Sequence, residues 1–125
     1  MGAKYLLDTN VIIDFSSQKL PAKAYHNLSG IIDEFPQISV INKIELLSLS
    51  TVPAAIVQFA EGASVLPLDE KVVEKTIELR RKYRFKLPDA VIAATAIVFD
   101  LTLITHNIVD FKGVKNLKVI DSHFI

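Results

Sequence analysis

The chain has 125 residues, enough for one folded unit over residues 1–125 with its own core and no covalent staple. Half of its residues are hydrophobic and 22% are charged, which excludes a disordered chain. It has no cysteine, which excludes a disulfide framework and a thiolate metal site, and its 14 basic residues balance 14 acidic ones. No global field therefore draws in a polyanion, and any nucleic acid must be held by a local patch.

Lys4 to Leu7 reads as a short buried strand that stops at Asp8, with Thr9 or Asn10 capping a short helix from Val11. The start Met1-Gly2-Ala3-Lys4 lacks the apolar run of a secretory leader, and Leu6 stands where a myristoylation signal takes Ser or Thr. No stretch approaches the roughly 20 apolar residues of a membrane span, so a cytoplasmic protein is expected. Pro21 to Phe35 has Tyr25, Leu28, Ile31, Ile32 and Phe35 at helical spacing. Gln37 to Val40 reads as a second strand after the break at Pro36, and Ile41 to Leu49 as a helix with Glu45 on or beside its apolar stripe.

Pro53 to Glu61 reads as a helix and Ala63 to Leu68 as a third strand. Asp69 to Tyr83 is a helix with Val72, Val73, Ile77 and Leu79 inward. Another helix runs from Pro88 to Phe99, a fourth strand from Leu101 to Ile104, and a fifth, edge strand from Lys118 to Ile120. Helices alternate with short apolar strands, which predicts an α/β three-layer sandwich around a central, mostly parallel sheet of four to five strands.

The helix after Pro88 organises the chemistry. No charge lies between Asp89 and Asp100, and a helix apolar on all sides belongs inside a domain. Asp89 is thus a carboxylate at the positive end of a buried helix, where an acid is stabilising whether or not it has a further role. Three more acids stand beside apolar sequence: Asp8 after the first strand, Glu45 on its helix, and Asp110 after the fourth strand. Each alone also reads as a cap or a solvated side chain.

Gathered, the four acids would repel unless a cation neutralised them, and carboxylates without a thiol select a hard ion, Mg²⁺ or Mn²⁺. The chemistry that follows is metal-assisted hydrolysis of a phosphodiester. Just before Asp89, Arg80, Arg81, Lys82, Arg84 and Lys86 alternate with Tyr83 and Phe85. This run either complements a helix dipole or binds a phosphate backbone with aromatics free to stack on bases; its lead into Asp89 favours the second. His26 and His106 are single histidines without a partner, a weak metal signal.

Four stretches carry a family resemblance. Leu6-Leu7-Asp8-Thr9-Asn10-Val11-Ile12-Ile13-Asp14 resembles the opening motif of PIN-domain ribonucleases. Ser39-Val40-Ile41-Asn42-Lys43-Ile44-Glu45-Leu46-Leu47 is similar to their second motif, and Leu87-Pro88-Asp89-Ala90-Val91-Ile92-Ala93-Ala94-Thr95-Ala96 to their third. Thr105-His106-Asn107-Ile108-Val109-Asp110-Phe111 resembles the fourth. The order and spacing cover the chain, and the nearest subgroup is the VapC-like toxins of toxin–antitoxin pairs.

The resemblance implies a PIN-like fold. Asp8, Glu45, Asp89 and Asp110 would hold Mg²⁺ or Mn²⁺, and Thr9, Thr105 and Asn107 would orient ligands or water around it. It also implies endonucleolytic RNA cleavage by a metal-activated water, a homodimer, and a small antitoxin that silences the enzyme. A PIN-like RNA- or protein-binding module without nuclease activity is the alternative. The sequence departs from the commoner pattern at Asn42-Lys43-Ile44, in lacking a glycine soon after Glu45, and at His106.

Overall fold

The computed structural model describes residues 4–125, so the readings that rest on Met1, Gly2 and Ala3 lie outside the described residues. The elements are β1 (Tyr5–Leu7), α1 (Thr9–Ser16), α2 (Ala22–Glu34), β2 (Gln37–Ser39), α3 (Val40–Leu47), α4 (Ala54–Gly62), β3 (Ser64–Leu66), α5 (Glu70–Lys82), α6 (Leu87–Val98), β4 (Thr102–Thr105), α7 (Ile108–Phe111) and β5 (Lys118–Asp121). A 3-10 turn at Ser122–Phe124 follows.

All strand pairs are parallel. Leu6 aligns with Leu103 and Leu7 with Ile104 across β1 and β4, and β5 adds to the far side of β4. The next residue along each strand falls on the opposite face. Leu6 and Leu103 join one core with Val72 and Leu79 of α5 and the buried run of α6. Leu7 and Ile104 join a second core with Val11, Ile12, Leu28, Leu46 and Ile56 of α1 to α4. Strands buried on both faces, with helices over each, make the expected three-layer arrangement.

The expected single sheet divides into two hydrogen-bonded ladders, β1-β4-β5 and β2-β3. β2 lies against β1, and at that seam the Gln37 side-chain amide, not a backbone ladder, donates to the Tyr5 carbonyl at 3.2 Å.

Three local readings change. α1 begins at Thr9 rather than Val11, because Asp8 is itself the cap and accepts from the Thr9 N–H. α3 begins at Val40, because Ser39 caps it. On α5 the inward stripe is Val72, Thr76 and Leu79, spaced four and three apart, so Ile77 falls outside it and is 54% exposed. α6 meets expectation: every residue from Ala90 to Ala96 is buried, and its small side chains let α5 pack closely over it. Among the described residues no helix is long and apolar enough to cross a membrane.

Leu103 is fully buried in the middle of β4. Leu103→Ala is expected to cost roughly 2–5 kcal/mol in urea unfolding with an unchanged m-value. A loss below about 1 kcal/mol would show that β4 does not carry this core.

Candidate active site

Parallel strands place their carboxyl ends on one edge of the sheet, the edge at which open α/β folds bind ligands. β1 ends there at Asp8, β2 leads there into α3 and Glu45, and β4 ends there at Thr105. The loop from α5 brings in Asp89 on the first turn of α6, and α7 carries Asp110.

Asp8 is 6% exposed, and its hydrogen-bond partners are all neutral. Its Oδ1 accepts from the Thr9 N–H at 2.8 Å and from Asn42 Nδ2 at 3.3 Å. Its Oδ2 accepts from Thr105 Oγ1 at 2.8 Å and from Asn10 Nδ2 at 3.2 Å. Burial still pushes its pKa above the ordinary aspartate value, against these bonds.

Glu45 is half-buried and accepts from Thr9 Oγ1, which in turn accepts from Asn42 Nδ2 at 3.0 Å. Asn42 is fully buried and also accepts the Ser39 N–H on its Oδ1 at 2.8 Å. One carboxamide thus caps α3 and donates toward both Asp8 and Thr9.

Asp89 is half-buried. Burial raises its pKa first, then the charges of Asp8, Asp110 and Glu45, with Lys86 pulling the other way. The three other acids therefore lie within its electrostatic reach. Asp110 is exposed, and its Oδ2 accepts from Asn107 Nδ2. The Asn107 N–H donates to Thr105 Oγ1 at 3.0 Å. Asp89 and Asp110 line a pocket of about 240 Å³ with Arg84, Phe85, Lys86 and Val109. Two larger hollows, of about 360 Å³ at Gln18, Leu20, Ala22 and Tyr25 and about 540 Å³ beside Ile97 and Lys118, carry no convergent acids.

The structure divides the basic run. Arg84 and Lys86 wall the acidic pocket, while Arg80, Arg81 and Lys82 are on the last turn of α5, all three exposed. The flanking aromatics are held by packing rather than free to stack on bases. Phe85 is buried against Phe111, with ring centroids 6.0 Å apart, and the Tyr83 hydroxyl accepts the Lys115 N–H at 3.1 Å. Asn10 and Asn42 are the network residues that sequence reasoning missed; it also read His106 as lacking a partner histidine, whereas its ring stacks on that of His123 with centroids 3.6 Å apart. The signal for Asn42 was its place three residues after Ser39, the spacing of a capping box with Asn where Glu or Gln is usual.

An all-oxygen donor set with little compensating positive charge suits a hard divalent cation. The four acids are nonetheless spread. Among the described residues, the compact group, with ligand atoms all within 4.8 Å of one another, is His106, Asp121 and His123.

Residues 5–117 match the family model described as PIN domain. No curated protein matches the sequence. Among solved structures, the chain is similar to one of a toxin–antitoxin complex from Klebsiella pneumoniae, at 27% identity and a TM-score of 0.77, covering 94% of this chain and 97% of that one. It is similar to a chain of VapBC2 from Rickettsia felis bound to a DNA fragment from their promoter, at 26% identity and a TM-score of 0.75, covering 93% and 96%. VapBC-1 from nontypeable Haemophilus influenzae shares the fold at 24% identity and a TM-score of 0.76, covering 94% and 97%.

Two outcomes follow from the geometry. Asn42→Ala should cost about 1–3 kcal/mol in urea unfolding, because it leaves a buried N–H unmatched and removes two donors. Asn42→Asp keeps an acceptor for the Ser39 N–H but sets a charge beside Asp8. It should be at least as destabilised at pH 7, whereas a mere capping role would leave it near wild type.

Asp89 supplies the second test. Its pKa is higher folded than unfolded, so the stability linked to its protonation is present below the unfolded pKa and lost as pH rises through the folded one. In EDTA, Asp89→Asn should therefore melt above wild type at pH 7. The gap should close as pH falls through the acidic range, and a gap constant with pH would refute the repulsion.

Proposed function

The chain belongs to the PIN-domain family, and from that membership we propose that it is a metal-dependent endoribonuclease, the toxin of a toxin–antitoxin pair. The observation that carries the reading is that β1, α3, α6 and α7 bring four acids from separate stretches of sequence to one edge of the sheet, where burial first and then the charges of Asp8, Asp110 and Glu45 oppose ionisation of Asp89. Its likeness to chains of toxin–antitoxin structures at 26–27% identity supports the toxin role and a small antitoxin partner.

In this reading residues 1–125 form one nuclease domain, acting in the cytoplasm as a homodimer. Asp8, Glu45, Asp89 and Asp110 hold Mg²⁺ or Mn²⁺. When bound, the ion supplies Lewis-acid polarisation of a phosphoryl oxygen and an activated water for hydrolysis of RNA.

The remaining steps fall to the chain's own side chains. Thr9 and Asn42 fix the rotamers of Asp8 and Glu45, and Thr105 and Asn10 hold the second oxygen of Asp8. Asn107 orients Asp110. Arg84 and Lys86 draw the phosphate backbone to the pocket mouth. Arg80, Arg81 and Lys82 extend that attraction along the surface.

The test is cleavage of a mixed RNA pool by antitoxin-free protein with Mg²⁺ or Mn²⁺. Asp8→Asn and Asp89→Asn should each reduce cleavage to the level seen with EDTA while the protein stays folded. Full activity in either variant would sink the site. Binding of RNA without cleavage by wild type, under either ion, would make the domain a binding module instead.

Reversal of Arg84 and Lys86 to Glu should lower the slope of log affinity against log salt for single-stranded RNA by about 0.7 for each phosphate no longer neutralised. An unchanged slope would remove those two residues from the RNA path.

A further inference from the structure

The compact His106, Asp121 and His123 group lies outside the acidic pocket. β4 and β5 run in register with Thr105 opposite Asp121, which sets the next residue, His106, beside that carboxylate. His106 Nδ1 lies 3.0 Å and His123 Nδ1 3.9 Å from Asp121 Oδ1. Asp121 is held in place by the His123 N–H, which donates to the same oxygen at 2.9 Å.

We propose that His106, Asp121 and His123 form a second cation site, selective for a borderline transition ion, zinc first. Two imidazoles and one carboxylate leave a fourth position for water, the donor set of many zinc centres. That set is softer than the acidic pocket, so the two sites of one chain sort cations by chemistry.

The rings are stacked, with centroids 3.6 Å apart and planes 25° from parallel, so both nitrogens cannot aim at one ion as they stand. His106 has a side chain half exposed to solvent, so in this proposal its ring is free to turn out of the stack about its Cβ–Cγ bond when an ion binds. An ion there ties the end of β4 to the C-terminal turn. The His106 N–H donates to Asn10 Oδ1, so the tie reaches a residue that holds Asp8.

The experiment is calorimetric titration of Zn²⁺ into the full chain with excess Mg²⁺, for wild type, Asp89→Asn, His106→Gln and His123→Gln, with folding checked by circular dichroism. Wild type and Asp89→Asn should bind one zinc per chain. The two histidine variants should stay folded and lose affinity by more than about tenfold. Substitution by Co²⁺ should give visible tetrahedral bands in wild type that vanish in His106→Gln.

Zinc affinity unchanged in both histidine variants would overturn the site. So would zinc binding lost in Asp89→Asn, or no zinc bound by wild type. None of these results depends on whether the protein cleaves RNA.

Discussion

The constraint on which the rest of the structure depends is the burial of the Asp8 carboxylate. A buried charge is costly unless it is paired or richly hydrogen-bonded, and Asp8 is bonded only to neutral donors. Those donors come from α1, α3 and β4, elements that sequence separates by up to 97 residues. Satisfying one carboxylate therefore ties three elements together at the sheet edge. Leu7 aligns with Ile104, so the next residues, Asp8 and Thr105, meet just past the end of the ladder. The sheet register and the polar network specify each other.

Around that anchor the electrostatics work against stability. Asp89 sits where burial and three like charges oppose its ionisation, and Lys86 is the cation that offsets them. What holds it there is α6, whose apolar body is buried on every side; Val91 and Ile92 each contribute roughly 1.5–3 kcal/mol by burial. Helix packing and like-charge repulsion thus work against each other within one turn of one helix, the arrangement expected of a functional rather than a structural acid cluster.

The order and type of the elements were legible because apolar runs on short strands and the all-apolar α6 are local signals. The acids could be picked out because each flanks such a run. What the sequence did not reveal depends on contacts across the fold. Asp8 reads alike as a ligand and as a cap, and in the structure its carboxylate does cap α1. Asn42 looks like a departure from a motif until its distance to Asp8, 34 residues earlier, is known. The seam between β1 and β2 is a break in backbone pairing that no local pattern encodes, and Gln37 bridges it with a side chain. The basic run splits because α5 ends at Lys82, which turns Arg84 and Lys86 toward the pocket and leaves the three residues before Tyr83 on the helix.

The segment after β4 shows how adjacent residues can serve different sites. Thr105 donates to Asp8, Asn107 donates to Asp110, and between them the His106 side chain turns to Asp121. Three consecutive residues thus contact three different aspartates because their side chains leave a strand end in different directions. His106 departs from the commoner family pattern, and its ring engages the C-terminal turn rather than the acidic pocket. Its backbone N–H still bonds Asn10. The main chain at position 106 therefore belongs to the network around Asp8 while its side chain belongs to the C-terminal cluster. One N–H and one carboxamide thus connect the main chain at position 106 to Asp8.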